Sequence, residues 1–226
     1  RFCANLSTLF TDRPLLQRFA AARAAGFSAV EMQLPYAEPA DALAQALRAQ
    51  GLTLQLINLP AGDWAAGERG MASHPGREAE VRDSVALALA YARALDVPRL
   101  HCMAGLRRAG VSEAQARATF VANLRLAADA CAADGRTLLI EPINAFDMPG
   151  YALGTVDEAI DVIAAVGAPN LQLQYDLYHQ QRTRGELIAT LRRHLPQIGH
   201  LQTADHPGRG EPGTGEVAWA HVLAAI

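Results

Sequence analysis

The sequence predicts an α/β fold in which parallel strands alternate with helices and close into a barrel. Short apolar runs alternate along the chain with Ala- and Leu-rich stretches of helical period, as expected for repeated strand–helix units. Seven such units follow one another without a linker-like segment. An eight-unit (β/α)₈ barrel typically needs about 250 residues. We therefore interpret residues 1–226 as a single barrel domain that lacks its last strand–helix unit.

Each element follows from local patterns. Pro14 suits a first helical turn, Ser112 is an N-cap candidate, and Gly26, Gly51 and Gly167 stand where helices end. An open doubly wound sheet is the alternative, but no GxGxxG turn follows the first strand. The predicted strands cover residues 2–6, 29–33, 52–57, 99–103, 138–141, 171–176 and 198–202. The predicted helices cover residues 14–25, 39–50, 77–95, 113–133, 156–166, 184–194 and 216–226.

Composition restricts the class of protein. Twenty basic residues against 23 acidic ones give a net charge of -3, which argues against a nucleic-acid partner. The apolar runs are shorter than the ~18 residues that a membrane span requires, and the first residues lack a signal-peptide pattern. Cys3, Cys102 and Cys131 form no CxxC pair, which is typical of buried thiols in a reducing compartment. We expect a cytoplasmic protein with no membrane partner.

Two long loops follow the third and seventh predicted strands. Residues 58–77 read NLPAGDWAAGERGMASHPGR, and residues 204–216 read ADHPGRGEPGTGE. Both loops leave the carboxyl end of a strand, where barrels and open α/β sheets place their sites. We expect them to bind or cover a ligand.

Polar side chains close three predicted strands. Glu141 ends TLLIE, Asp176 ends LQLQYD and Gln202 ends IGHLQ, and strand parity directs all three into one mouth. Two carboxylates and an amide oxygen would repel one another without a positive charge between them. Oxygen ligands select hard cations, so this set predicts Mg²⁺ or Mn²⁺, although a helix N-cap or a surface charge explains each residue singly.

Other polar residues near the mouth are candidates for binding substrate. His179 and Arg209 could contact an anionic substrate, as guanidinium groups pair with carboxylates. Glu68 and Arg69, in the first long loop, could close over a ligand or merely pair at the surface. The GRGEPGTG segment lacks the order of a phosphate-binding loop.

Three further residues are candidates for support of the site. Glu31 ends VEM, His101 lies in RLHCM, and His200 lies two residues before Gln202. A buried polar pair or a group that orients the ligands explains them at least as well as direct catalysis.

Several motifs resemble those of the hydroxypyruvate isomerase family, a part of the xylose isomerase-like TIM barrels. The motifs, in order, are NLPAGDWAAGERG, PGRE, IEPIN, YDLYHQQR, GHLQ and RGEPGTGE. The resemblance implies a (β/α)₈ barrel that interconverts hydroxypyruvate and tartronate semialdehyde. It implies metal coordination by Glu141, Asp176 and Gln202, and substrate contacts by His179 and Arg209. Related ketose epimerases usually have His at the position of Gln202. Related barrels commonly associate, so a homo-oligomer is one expectation.

The implied chemistry agrees with the residues. A small hydroxy-oxo acid can chelate a metal through adjacent oxygens, which acidifies the carbon-bound proton and stabilises an enediolate. Glu141 would be one of two carboxylates that move the proton. The family's second carboxylate closes the strand of the eighth strand–helix unit, which this sequence does not contain. We expect the natural chain to continue, since a barrel without that strand would expose two unpaired edges. The 58–77 loop would then be a lid that excludes water.

Other functions remain open at this point. An isomerase of the same mechanism that acts on 2-oxo-tetronate, a four-carbon acid, is the nearest alternative. A nuclease on the related endonuclease IV-like barrel would require many histidine ligands and a basic surface, and the seven histidines here are scattered. A non-catalytic binding barrel is a third reading, which an acid–base carboxylate argues against.

Overall fold

Parallel strands form one curved wall in the computed structural model, which describes residues 2–226. The strands pair in two groups, with the orders β1-β2-β3 and β4-β5-β6-β7-β8, and every pair is parallel. The strands are β1 (Ala4–Asn5), β2 (Ala29–Glu31), β3 (Thr53–Leu54), β4 (Leu56–Asn58), β5 (Arg99–His101), β6 (Thr137–Ile140), β7 (Leu171–Asp176) and β8 (Ile198–Gln202). The predicted α/β barrel architecture is confirmed.

The third predicted strand is divided at Gln55 into β3 and β4. The Gln55 backbone N–H donates to the Val30 carbonyl at 2.8 Å, and the Met32 N–H donates to the Leu56 carbonyl at 3.1 Å. Both strands therefore stay next to β2, and β4 turns to pair with β5. This turn joins the two groups of strands into a single barrel wall.

Helices follow the strands and cover the outside of the wall. Ser112 and Thr155 each form a capping box, and Gly51 and Gly167 end their helices in the left-handed conformation. The helices are α1 (Leu15–Ala24), α2 (Ala40–Gln50), α3 (Glu78–Leu95), α4 (Glu113–Ala133), α5 (Val156–Val166), α6 (Leu177–Thr183), α7 (Leu187–His194) and α8 (Trp219–Leu223). Among residues 2–226, none of the helices combines the length and hydropathy of a membrane span.

The segment after β7 differs from the prediction. A single helix was expected over residues 184–194, but α6 begins directly after β7, and α7 follows it. Asp176 starts α6, because its Oδ1 atom accepts a hydrogen bond from the Tyr178 N–H at 2.8 Å. Gly185 and Glu186, both with positive φ, separate the two helices. This short helix places His179 one turn beyond Asp176.

The last helix is also shorter than the predicted 216–226 segment. The Asp205 carboxylate accepts hydrogen bonds from the N–H groups of Gly213 and Val217 and from the Trp219 indole, at 2.7, 3.2 and 2.7 Å. These bonds hold residues before Trp219 in a loop and start α8 at that residue.

The barrel interior is closely filled beneath β8. The pairing of β7 with β8 shifts between Leu173 and Gln174, so Gly199 is an extra residue in β8. A Cβ atom at Gly199 would lie 2.5 Å from the Gln172 Oε1 atom and 2.8 Å from a Leu139 methyl carbon. The Gly199 main chain therefore packs directly against these two side chains. The shift in pairing also brings Gln202 opposite Asp176.

Candidate active site

Glu141 and Asp176 form a buried acidic pair at neighbouring strand ends. Asp176 is the last residue of β7, and Glu141 directly follows β6, which ends one residue earlier than predicted. Each residue is 6% exposed. Burial and then the Asp176 charge raise the pKa of Glu141 well above its usual range, although the Arg209 charge and the Gln174 amide oppose this. Without a cation beside it, Glu141 therefore takes up a proton more readily than an ordinary carboxyl.

His179 completes this group from α6. Its Nε2 atom lies 3.6 Å from the Asp176 Oδ2 atom and 3.9 Å from the Glu141 Oε1 atom. One ligand atom from each of these three residues lies within 4.8 Å of the others. Burial lowers the pKa of His179, which favours the neutral imidazole.

Arg209 reaches the same group from the loop after β8. Its Nη2 atom lies 3.2 Å from the His179 Nε2 atom and 3.7 Å from the Asp176 Oδ2 atom. Its side chain is 46% exposed, so the guanidinium lies at the open side of the acidic pair. The structure therefore brings together Glu141, Asp176, His179 and Arg209, as the sequence predicted.

Gln202 lies beside Asp176 but makes its bonds elsewhere. Its Oε1 atom accepts a hydrogen bond from the Gln174 amide at 2.8 Å, and its own amide donates to the Glu31 Oε1 atom at 2.6 Å. The donation to a carboxylate determines which end of the amide is the oxygen. One lone pair of that oxygen is left for another partner.

Glu31 is the centre of a second buried network. Its carboxylate accepts hydrogen bonds from His200 at 2.6 Å, Gln202 at 2.6 Å, Asn5 at 3.0 Å and Cys3 at 3.3 Å. Burial works against ionisation, but the donors outweigh it and lower the pKa of Glu31. Burial raises the pKa of the Cys3 thiol, so the thiol keeps the proton that it donates. Cys3, Glu31 and His200 therefore form a buried hydrogen-bonded network that supports Gln202, and one ligand atom of each of the three lies within 4.8 Å of the others.

His101 lies behind Glu141 in the barrel interior. It is 1% exposed, and its Nε2 atom lies 3.8 Å from the Glu141 Oε2 atom. Burial, with a smaller contribution from His200, lowers the pKa of His101 to about 3. His101 is thus a neutral side chain that lies against the acidic pair.

Glu68 and Arg69 make contacts within their own loop. Glu68 pairs with Arg77 and accepts the Asp63 N–H at 2.7 Å. Arg69 donates to the Trp64 carbonyl at 3.1 Å and lies 3.9 Å from the centre of the Trp64 ring. The predicted role of both residues in binding substrate remains a prediction.

The first long loop is fixed at one end. Residues 70–74 are buried, and Gly70 packs so closely on Gly105 that a Cβ atom on Gly70 would lie 2.8 Å from the Gly105 nitrogen. Residues 62–67 are exposed. A lid function would therefore be confined to this exposed tip.

Two residues of the site were not singled out from the sequence. Asn144, in the IEPIN motif, is fully buried and contacts His179, and Gln174 links Gln202 to the acidic pair. Gln174 shares the strand face of Asp176, so the parity argument could have identified it. Asn144 follows the strand, where parity no longer applies.

The donor atoms at the strand ends fit a divalent cation. Burial and the Asp176 charge raise the pKa of Glu141, and a cation between the two carboxylates would offset both effects. The carboxylate oxygens and the Gln202 amide oxygen are hard donors, and the His179 nitrogen is within reach. These residues could hold a metal at the strand ends.

Comparison with known proteins agrees with this geometry. A family model described as xylose isomerase-like TIM barrel matches residues 19–226. The chain is 49% identical over 226 residues to the hydroxypyruvate isomerase of Escherichia coli (strain K12), and the match covers 100% of this chain and 88% of that protein. It is 48% identical over 223 residues to the 2-oxo-tetronate isomerase of Cupriavidus necator, with 99% and 86% covered.

A solved structure has nearly the same fold as this chain. The crystal structure described as AP endonuclease, family 2 from Brucella melitensis matches with a TM-score of 0.97 and 44% identity, and the match covers 100% of this chain and 87% of that one. These similarities confirm the family resemblance that the sequence motifs indicated. The chain belongs to the xylose isomerase-like TIM barrel family.

Proposed function

We propose that the protein is an isomerase that interconverts hydroxypyruvate and 2-hydroxy-3-oxopropanoate (tartronate semialdehyde). The observation that carries the proposal is Glu141, a buried carboxyl with a raised pKa at a strand end beside a second carboxylate. A positioned carboxyl that can both take up and release a proton is what a reaction that moves a proton between adjacent carbons requires. The 49% identity to the Escherichia coli hydroxypyruvate isomerase supports this substrate class.

The residues divide the chemical tasks. Glu141 removes a proton from the carbon next to the carbonyl or returns one to it. Arg209, half-exposed at the mouth, pairs with the substrate carboxylate, and His179 donates to a substrate oxygen. A divalent cation held by Glu141, Asp176 and Gln202, with Mg²⁺ or Mn²⁺ as the proposed ion, would acidify the carbon-bound proton when bound.

The four-carbon acid 2-oxo-tetronate is the second candidate substrate. The relative with that activity in its name is 48% identical to this chain, against 49% for the hydroxypyruvate isomerase, so overall identity does not discriminate. Both substrates would use the same proton transfer. The two acids differ in length, so residues around the opening of the site would have to discriminate between them.

Parallel assays of the two substrates test the proposal. We expect the purified protein to turn over hydroxypyruvate with the higher kcat/KM. A large preference for 2-oxo-tetronate would show that the proposed substrate is wrong but would leave the proposed mechanism unchanged. If neither acid is turned over in the presence of Mg²⁺ or Mn²⁺, the isomerase proposal is wrong.

Nuclease activity can be tested in the same preparation. The Brucella melitensis protein is described as an AP endonuclease. This chain has a net charge of -3 and an acidic pair at the mouth of its barrel. Both features oppose the approach of a phosphate backbone. We expect no cleavage of abasic DNA, and salt-sensitive cleavage would support the nuclease alternative.

A further inference from the structure

Asn144 is a fully buried side chain whose amide has one permitted orientation. Its Oδ1 atom accepts two main-chain hydrogen bonds, from the N–H groups of Phe146 at 3.1 Å and Asp147 at 2.9 Å. A reversed amide would direct NH₂ at these two donors. The Nδ2 atom is therefore the end that faces His179, and it also reaches the Asp147 carboxylate at 3.2 Å.

This orientation gives the His179 Nδ1 atom a donor as its neighbour. The Asn144 Nδ2 atom lies 2.7 Å from Nδ1, and the Asn144 main-chain N–H points at the same atom from 3.5 Å. A neutral imidazole has one acceptor nitrogen and one N–H. If Nδ1 accepts, the proton lies on Nε2, the atom that faces Asp176 and Glu141.

Arg209 makes a contact that requires the opposite arrangement. Its Nη2 atom lies 3.2 Å from the His179 Nε2 atom, and a guanidinium can only donate. The two demands on the ring conflict. Asn144 is buried and held by two main-chain donors, whereas the Arg209 side chain is 46% exposed and can turn towards solvent or substrate. The more constrained partner determines the tautomer.

We propose that Asn144 is a positioning residue that holds His179 with its proton on Nε2, so that His179 donates to a substrate oxygen and does not ligate a metal. The donor role in turnover rests on the proposed function. A nitrogen that carries a proton has no lone pair for a cation. The metal donors at the mouth are then oxygen atoms, from Glu141, Asp176 and Gln202.

Nitrogen NMR of the whole chain labelled with ¹⁵N-histidine tests the tautomer without substrate. Nitrogen shifts and long-range couplings distinguish a protonated ring nitrogen from an unprotonated one, and His179→Gln identifies the signals. We expect the His179 Nε2 to be protonated and Nδ1 unprotonated in the neutral ring, both in chelator-treated protein and after addition of Mg²⁺. A protonated Nδ1, or loss of the Nε2 proton on addition of Mg²⁺, overturns the inference.

Asn144→Asp makes the relationship directional. The carboxylate keeps an acceptor for the two main-chain donors but turns an acceptor towards His179 and Asp147, so in the neutral ring, above the pH at which both nitrogens are protonated, the proton should move to Nδ1. Without the donor at Nε2, kcat for the preferred acid should fall by roughly 100-fold, as when one preorganised donor is removed, with a smaller change in KM. If the Asp variant does not fold, Asn144→Ala replaces it. This variant leaves the His179 Nδ1 atom without a side-chain partner and should give a mixture of the two tautomers.

Asn123→Asp is the matched control. Asn123 is another buried asparagine whose amide donates to a main-chain carbonyl, that of Ala72 at 2.8 Å, but it lies in α4. The Asn123→Asp protein should be less stable than wild type, but its His179 nitrogen signals should be unchanged. An inactive wild-type protein with a protonated Nε2 would refute the proposed function alone, whereas an active protein with a protonated Nδ1 would refute this inference alone.

Discussion

The His200 Nε2 atom lies 2.6 Å from the Glu31 Oε2 atom, and this contact crosses the barrel interior. Glu31 ends β2 in the three-stranded group, while His200 lies in β8 at the edge of the five-stranded group. The same carboxylate holds the amide of Gln202. One buried charge therefore links the two groups of strands and orients a proposed metal ligand.

Glu31→Gln tests the strength of this link. Glutamine keeps the shape but cannot accept all four hydrogen bonds, so buried donors lose a partner. We expect the free energy of unfolding, from urea denaturation, to fall by about 1–3 kcal/mol. Asp129→Asn, on an exposed position of α4, is the control and should change little. A Glu31→Gln protein as stable as wild type would show that the network contributes nothing.

Glu141→Gln separates catalysis from stability. Loss of the proton-transferring carboxyl should reduce kcat by about 10²–10⁴-fold. The raised folded-state pKa of Glu141 means that its contribution to stability is present below its unfolded pKa and is lost as pH rises through the folded value. The metal-free variant should therefore gain stability over wild type as pH increases. Equal stability of the two proteins across this pH range would contradict the raised pKa that burial and the Asp176 charge give to Glu141.

Metal removal should abolish isomerisation. We expect exhaustive chelation to stop turnover and Mg²⁺ or Mn²⁺ to restore it. Added cation should also raise the free energy of unfolding, by about 2.7 kcal/mol at a hundredfold excess over Kd, as a shift in thermal unfolding. Asp176→Asn should weaken the shift and Asp129→Asn should keep it. Retained activity after complete chelation would refute metal dependence.

His101 predicts a pH dependence of stability. Its folded-state pKa is lowered to about 3, so between the ordinary histidine pKa and pH 3 the unfolded chain binds more protons. Its contribution to the free energy of unfolding therefore declines as pH falls through this window. His101→Gln should reduce the slope by up to about 1.4 kcal/mol per pH unit. His221→Gln, at an exposed position in α8, should leave the slope unchanged.

Arg209 and Arg69 should differ in their effect on substrate binding. Arg209 lies beside the acidic pair, so Arg209→Ala should raise KM by roughly tenfold or more, from the loss of a charged hydrogen bond of about 1.5–3 kcal/mol. Arg69 is occupied by the Trp64 and Glu68 carbonyls, so Arg69→Ala should raise KM less. A larger effect at Arg69 would make the loop tip part of the binding site.

The sequence predicted the strands and their converging ends because these depend on local patterns. A short apolar run that ends in a carboxylate identifies a strand, and side-chain alternation along it gives the direction of Glu141 or Asp176. The α6 helix was missed because LYHQQRT has no apolar stripe, and its start depends on the Asp176 side chain capping the next turn.

The hydrogen-bond partners could not be predicted in the same way. Gln202 and Glu31 are 171 residues apart, and their contact depends on the shift of register at Gly199. Asn144 and His179 are 35 residues apart on a loop and a helix that no periodicity connects. Composition and spacing therefore identified most of the ionisable groups, but not the contacts that determine their protonation.

The main chain at Gly199 limits how such a barrel could acquire a different substrate. Because the Gly199 main chain packs directly against the Gln172 and Leu139 side chains, a larger residue at position 199 would clash with them, and this part of the interior cannot change by substitution of Gly199 alone. Adaptation to a longer acid is therefore easier in the loops that follow the strand ends, which tolerate sequence change far better than a packed interior. Divergence between three-carbon and four-carbon isomerases would be recorded in loop sequence while the barrel stays the same.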